Sequence, residues 1–600
     1  MNFRLFSAGI NRIKILSGGS ALRVPDILRA ALLLTGLGFA ASASAVYNQS
    51  LTRTLDAGQI YGKADASNTH AFLGVPFAQP PVGNLRWKAP LPPLAWTGSR
   101  AATGFANRCA QIGSFFGEPD PATFGQPVGS EDCLYVNVWR PNSSAENLPV
   151  FFWIHGGSNV KGSEREPLYN GAYLANKANM VVVTVQYRLG MLGFINHPAL
   201  KTGDAKDNSG NYATLDLVRG LDWVQTNIRA FGGNPGQVTV AGQSAGCINT
   251  WGLLQSPLAA NKFHRAMCMS GIPNAYPPVV GTLAAESLID NLLVDNGGAS
   301  TLLQAAAQRA LMSNAQINTV LRNASAAQIM KLTPSPVVPG HFTDGTVIRA
   351  GGLVDLVAGN YNKMPLMIGS THDEGSYFAY SFGMGKPTPQ EFWQLSNYAA
   401  PGSVTVNDLI KPEFQSIYTP THEAITYALD LTIDNMVRLL RLTSGSGNLF
   451  RYNFNWRDTP TPWKQTFGAF HGIDVALLFG NYESSEPTFM HFAWDGNNAT
   501  SRKALSEKFI KYVSTFARTG APSHLFDGQT TWNDWTNYTC GFLCPKRMLF
   551  DNSSTMSGDD YFFFWTRYSL LTQQQKDYVW KVIDFNALPA NVDPFRDGPH

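Results

Sequence analysis

Between residues 149 and 271 short apolar runs alternate with stretches whose apolar positions recur every three or four residues. "PVFFWIH" (149–155), "MVVVTVQYR" (180–188) and "QVTVAG" (237–242) are nearly continuous in β-branched, aromatic and other apolar side chains. Runs this short, bounded by turn residues, predict strands buried on both faces. Between the last two lies "NYATLDLVRGLDWVQTNIRAFGG", in which Leu217, Leu221, Val224, Ile228 and Phe231 make one stripe at spacings of four and three. That period predicts a helix, and Gly232-Gly233 end it. "HRAMCMSG" and "KMPLMIGS" continue the strand series, and "SRKALSEKFIKYVSTFARTGAP" predicts a long late helix stopped by Gly520 and Pro522. The alternation predicts an α/β fold, with a parallel or mixed sheet covered by helices on both faces. Residues 277–340 or so are Ala-rich and helical in pattern, and read as an insertion within a single domain of residues 46–600.

The first 45 residues break this pattern. Arg4, Arg12, Lys14, Arg23 and Arg29 form a basic lead, followed by "AALLLTGLGFAA" and then "ASASA" before Val46. That order predicts a secretory signal cut after Ala45, because the apolar run is shorter than the roughly 20 residues a membrane span needs. Loss of those five cations and of Asp26 turns the net charge of +3 into about −1. No basic patch then calls for nucleic acid or an anionic membrane as a partner. Nothing in the sequence sets an oligomeric state.

An oxidising compartment makes the six cysteines disulfide candidates. Cys109 and Cys133 flank a loop of 23 residues, where a bridge would stabilise the fold by roughly 3 kcal/mol. Cys540 and Cys544 are placed to staple a local turn, and Cys247 and Cys268 either pair or stay buried thiols. Asn48, Asn142, Asn323, Asn498, Asn537 and Asn552 each begin an N-glycosylation sequon.

The chemistry concentrates at "QVTVAGQSAGCINTWGLL". Gly242 and Gly246 flank Ser244 where a predicted strand meets a predicted helix, the context of a nucleophile elbow. The head of that helix, with free N–H groups and a positive dipole end, favours a developing negative charge. A serine nucleophile also needs a base, a group that orients the base, and donors for an oxyanion. "FFWIHGGSNVKG" offers the donors, since Gly156 and Gly157 let backbone N–H groups approach a substrate oxygen. Among eleven histidines, His471 stands out by its glycine and apolar neighbours in "TFGAFHGIDVALLFG". The acid is Asp373 or Glu374 in "MPLMIGSTHDEGSYF", and physics alone leaves both open.

From residue 50 onward the chain resembles the type B carboxylesterases, the group with the cholinesterases, fungal lipases of the Candida rugosa type and neuroligins. "FLGVPFAQPPVGNLRWKAPLPPLAW", "SEDCLYVNVWRP", "VQYRLGMLGF", the stretch from "GNYATLDLV" to "GQSAG", "STHDEGSYF" and "FHGIDVALLFG" carry the resemblance, in the family's order. It implies an α/β-hydrolase fold with a helical insertion over the active site. It also implies a nucleophile at Ser244, an acid at Glu374 and a base at His471. The oxyanion donors become the N–H groups of Gly157, Ser158 and Ala245. A Cys109–Cys133 bridge and ion pairs Arg86–Glu131 and Arg188–Asp216 follow as well. The implied reaction hydrolyses a small-molecule ester through an acyl-enzyme, with neither metal nor cofactor.

Three departures refine this picture. Ser158 replaces the third glycine of the family's loop, and Gln243 stands where many members carry glutamate beside the nucleophile. The loop from Cys109 to Cys133 holds no tryptophan to cradle a choline cation, which argues against a cholinesterase. With only "SFF" and Phe124 as large apolar groups, it is also small for the lid of a lipase, so soluble or modest-sized esters are expected. A lipase or sterol esterase, and a catalytically silent adhesion protein, are the competing readings. The presence of all three triad residues favours an enzyme.

Overall fold

The computed structural model describes residues 51–551 except 117–119, 334–339, 401, 444–448, 483–486, 523–529, 533 and 535–546, together with 556–557, 572–573 and 576. The expected signal segment, the sequons at Asn48, Asn537 and Asn552, and Cys540 and Cys544 lie outside the described residues. The chain divides into Met1–Thr52, of which only Leu51 and Thr52 are described, and a unit that starts at Arg53.

One 11-stranded sheet spans the unit. Its strands are β1 (Lys63–Asp65), β2 (Thr69–Pro76), β3 (Tyr135–Pro141), β4 (Leu148–Ile154), β5 (Val181–Val185) and β6 (Gly233–Gln243). The remaining strands are β7 (Arg265–Met269), β8 (Leu366–Thr371), β9 (Leu449–Phe454), β10 (Arg547–Phe550) and β11 (Met556–Ser557). Across the sheet they run β11-β10-β9-β8-β7-β6-β4-β5-β3-β2-β1. From β5 to β10 every neighbouring pair is parallel; β1, β2 and β3 at one edge and β11 at the other pair antiparallel. All five strands expected from apolar runs are present.

Side chains alternate between two cores. Phe151, Trp153, Val182, Ala241, Met267 and Met367 face one, while Phe152, Ile154, Val183, Val240, Cys268 and Ile368 face the other. Helix α1 (Tyr212–Asn227) packs Leu217, Leu221 and Val224 into the second core, as its stripe predicts, and α2 (Ala245–Gln255) lies on the same side. The stretch after β7 forms α3 (Pro278–Asp295), α4 (Leu302–Leu311), α5 (Asn314–Asn323) and α6 (Ala326–Leu332). Ser313 and Ser325 start α5 and α6 with reciprocal capping boxes to Gln316 and Gln328. This group packs on Trp87, Met191, Leu192 and Tyr212. After β8 come α7 (Glu374–Ala379), α8 (Tyr418–Thr443), α9 (Ile473–Phe479) and α10 (Ala499–Thr519). Helices α9 and α10 cover the first core, so both faces of the sheet are dressed.

Both expected ion pairs form. Arg86 Nε donates to Glu131 at 2.7 Å, and the same guanidinium reaches Ala324 O at 2.7 Å, fastening α5 to the loop that carries Glu131. Arg188 holds the buried Asp216 through Nε at 2.8 Å and Nη2 at 2.7 Å. Cys109 is bonded to Cys133, and Cys247 to Cys268, which ties the first turn of α2 to β7.

Candidate active site

Ser244 stands between the end of β6 and the start of α2 with φ 56° and ψ −122°, a backbone conformation that non-glycine residues rarely adopt. Its N–H donates to Met269 O at 2.8 Å and its carbonyl accepts from Ile248 N–H at 3.0 Å, so neighbouring elements hold the strained residue from both sides. A Cβ at position 242 would lie 2.2 Å from Gly246 O, and one at 246 would lie 2.0 Å from Ile154 O at the end of β4. The glycine spacing around Ser244 is therefore steric: the elbow closes only where both side chains are absent.

His471 lines the cleft and meets the buried Glu374 directly. Glu374 is the first residue of α7 and fully buried; its Oε2 contacts His471 Nδ1 at 2.5 Å and its Oε1 accepts the Thr371 N–H at 2.6 Å. Asp373, the alternative acid, is committed elsewhere, accepting from Arg457 Nε at 2.6 Å and from Ala469 N–H at 2.8 Å. Burial alone would raise the Asp373 carboxyl, but hydrogen bonds from His372 and Arg457 outweigh it and hold that group well below the usual carboxylate range. Behind Glu374, Tyr452 Oη donates to Asp474 Oδ2 at 2.9 Å. Burial, reinforced by the Glu374 charge, pushes Asp474 up to about 7.

His471 Nε2 faces Gln243 Nε2 at 3.0 Å. With Nδ1–H given to Glu374, Nε2 is the acceptor of that amide proton. Among the described residues Ser244 Oγ makes no hydrogen bond, though Ser244, Gln243 and His471 line one cleft. Gln243, marked in the sequence only as a lost negative charge, thus occupies the nitrogen that a nucleophile's proton would need.

Gly157 and Ser158 line the same cleft, with φ +106° and 56°. The N–H groups of Val160 and Lys161 return to Gly157 O at 3.1 and 3.0 Å, making a tight turn. A Cβ at 157 would lie 2.2 Å from Lys161 O, so only glycine fits there. Ser158 keeps the left-handed backbone that glycine would adopt without strain, and so keeps the direction of its N–H. Ala245, at the head of α2, presents one of the free N–H groups of a helix start. The turn is braced from behind: Gln111 bonds Gly162 with both amide atoms at 2.9 and 2.8 Å, and Gln186 Nε2 donates to Ser163 Oγ at 3.2 Å. Ser163 in turn donates to Glu164 Oε2 at 3.1 Å, and burial pushes that carboxyl up to about 8.

The opposite wall is aromatic. Phe116 packs on Phe489 with ring centroids 4.5 Å apart, and Phe378 packs on His471 at 4.8 Å. Tyr377 and Phe378 follow Glu374 on α7, a helical spacing that points to their place; Phe489 and Lys161 carry no comparable signal. The described lining residues come from these segments and not from α3–α6. Asn498, a predicted sequon, is buried, its Nδ2 donating to Asp458 O at 3.0 Å and Ala493 O at 2.9 Å; this side chain is closed to glycosylation. Asn142 and Asn323 are exposed.

A family model described as the carboxylesterase family matches residues 49–543. The chain is 32% identical over 540 residues to a fumonisin B1 esterase of Sphingopyxis macrogoltabida, covering 88% of this chain and 90% of that one. It is 30% identical to a para-nitrobenzyl esterase of Bacillus subtilis over 482 residues, 77% of this chain and 89% of the relative. A cocaine esterase of Homo sapiens matches at 30% over 498 residues, 78% and 84% of the two chains. Among solved structures, a carboxylesterase of Geobacillus stearothermophilus superposes with a TM-score of 0.64 at 25% identity, over 86% of this chain and 99% of that one. With its mixed sheet and these relatives, the chain belongs to the carboxylesterase family and is a carboxylic ester hydrolase with the α/β-hydrolase fold.

Proposed function

We propose that Ser244, His471 and Glu374 are the catalytic triad, with the N–H groups of Gly157, Ser158 and Ala245 as the oxyanion site. The single observation that carries this reading is the contact of His471 Nδ1 with Glu374 at 2.5 Å, at the cleft that Ser244 also lines. On substrate binding Ser244 Oγ takes the place of the Gln243 amide at His471 Nε2. Oγ bonds to the acyl carbon as its proton passes to Nε2, and the backbone donors hold the oxyanion. Collapse expels the alcohol, which leaves with that proton. Water then attacks the acyl-enzyme, giving its proton to His471, and the acid departs as Ser244 regains its hydrogen. Glu374 keeps the imidazole oriented and stabilises its charged form.

The substrates are soluble, modest-sized esters. In the loop between Cys109 and Cys133, Phe115 and Phe124 are buried against Phe392 and Trp393 rather than displayed to an oil surface, which supports this reading over a lipase. The protein is a secreted one, with residues 1–45 as its signal and Asn142 and Asn323 as glycan sites. Both disulfides among the described residues fit an oxidising compartment. The test is a hydrolysis profile over acyl length and alcohol size with the purified mature protein beside Ser244→Ala. Turnover of short esters, abolished in the variant and without a jump at substrate aggregation, is expected. Equal turnover by the variant overturns the triad, and activity confined to aggregates overturns the substrate class.

A further inference from the structure

The aromatic wall of the cleft is interrupted by two hydroxyls. Tyr377 and Ser381 both line the cleft one turn apart, the first on α7 and the second on the π-turn (Tyr380–Met384) that continues it. Ser381 is 6% exposed, and among the described residues its Oγ has no hydrogen-bond partner of good geometry. The polar group beside it is the Tyr377 hydroxyl. Burial raises that phenol well above its usual range, and the neighbouring Ser381 hydroxyl opposes the rise. The Tyr377 ring also lies nearly parallel to His471, at 20° with centroids 6.1 Å apart.

Phenylalanine and alanine would line this wall with no polar group to satisfy, whereas burying a hydroxyl without a partner is unfavourable. The pair cannot satisfy itself. Two hydroxyls carry two protons and four lone pairs, and a bond between them uses one of each, so a donor and several acceptor sites stay open. We propose, resting on the esterase reading above, that Tyr377 and Ser381 together bind a hydroxyl of the substrate and so select hydroxylated esters over their hydrocarbon analogues. A substrate hydroxyl both accepts the remaining proton and donates to a remaining lone pair, whereas a methyl group in its place leaves both unmet. Because Tyr377 stacks on His471, the recognised hydroxyl lies a few bonds from the scissile carbonyl and not at a remote tail.

The test compares matched pairs in which a hydroxyl replaces a methyl group. These are methyl 6-hydroxyhexanoate against methyl heptanoate, on the acyl side, and 4-hydroxybutyl acetate against pentyl acetate, on the alcohol side. Acid release is followed at constant pH for the wild type, Tyr377→Phe and Ser381→Ala, with p-nitrophenyl acetate as a reference ester. The expected result is that the wild type favours the hydroxylated member of at least one pair in kcat/KM. That ratio falls about 5- to 50-fold in each variant, the range for leaving a buried hydrogen-bonding group unpaired. A variant that is merely less well folded loses turnover of both members alike and leaves the ratio where it was. A preference for the methyl member of both pairs, or a hydroxyl preference that both variants leave intact, overturns the proposal alone. So does turnover of p-nitrophenyl acetate with none of the four esters. Turnover of no ester at all overturns the triad reading with it.

Discussion

The elbow and glycine turn on one side of the cleft, and the aromatic wall on the other, differ in how much change a single position tolerates. On the elbow side, backbone atoms approach so closely that a Cβ at 246 would sit 2.0 Å from Ile154 O, and buried polar groups from Gln111 to Glu164 brace the turn. On the wall side, Phe116, Phe378 and Phe489 are held by ring packing, and Phe116 keeps some exposure. The first arrangement fixes where the reacting atoms are; the second sets what fits against them. Chemistry is therefore expected to break at the elbow and specificity to drift at the wall.

The largest expected effect separates two adjacent carboxylates. Glu374→Gln lowers kcat about 10³- to 10⁴-fold, the scale for removing the orienting acid of a triad. Asp373→Asn, which loses its contacts to Arg457 and Ala469, lowers the melting temperature while kcat stays within about tenfold. Steady-state kinetics and thermal unfolding read the two, and the reverse pattern would reassign the acid. Next comes Gly246→Ala, in which the added methyl meets a carbonyl that cannot move without displacing β4; a loss of roughly 3 kcal/mol or more is expected in urea unfolding. An unaltered midpoint would mean the elbow is looser than these distances.

Glu164 gives a smaller, pH-dependent effect. Folded, its carboxyl is pushed by burial up to about 8, whereas an unburied glutamate releases its proton near 4.5, so folding takes up a proton between those values. Its contribution to stability is fully present below about pH 4.5 and is lost as pH rises toward 8. Glu164→Gln removes that loss: relative to the variant, the wild type weakens by roughly 3 to 4 kcal/mol between pH 5 and 8. A constant difference across that range would contradict it. The smallest effect belongs to the wall. Phe116→Ala raises kcat/KM for bulky esters relative to small ones about 3- to 10-fold, and an unchanged ratio would remove Phe116 from the substrate's path.

The same contrast governs what was legible in the sequence. The strands of the sheet's centre, α1 and the elbow announce themselves through local pattern, because burial on two faces, a helical stripe and paired glycines all leave short-range marks. His471 and Glu374 follow from the family's motifs; local chemistry alone left Asp373 open, because its commitment to Arg457 is made 84 residues away in sequence. Of the wall only Tyr377 and Phe378, three and four residues after Glu374 on α7, carry a local mark, whereas Phe116 and Phe489 join them only through the fold. Gln243 drew notice for the charge it lacks, but its hold on His471 Nε2 joins positions 228 residues apart. Strands β9 and β10 carry no clear apolar run, because Arg451 interrupts the first and the second is only four residues long and opens on Arg547. Both arginines are buried on Asp430 and Asp434 of α8, which turns two apparent surface charges into interior ones.

The central claim is that Ser244 is the nucleophile. It is tested most directly by treating the purified protein with an organophosphate ester and locating the adduct by peptide mass analysis. The account predicts one phosphoryl group per chain, on Ser244, gained in step with loss of ester turnover and absent from Ser244→Ala. An adduct on any other side chain that accompanies the loss of turnover, or full turnover by Ser244→Ala, would contradict it.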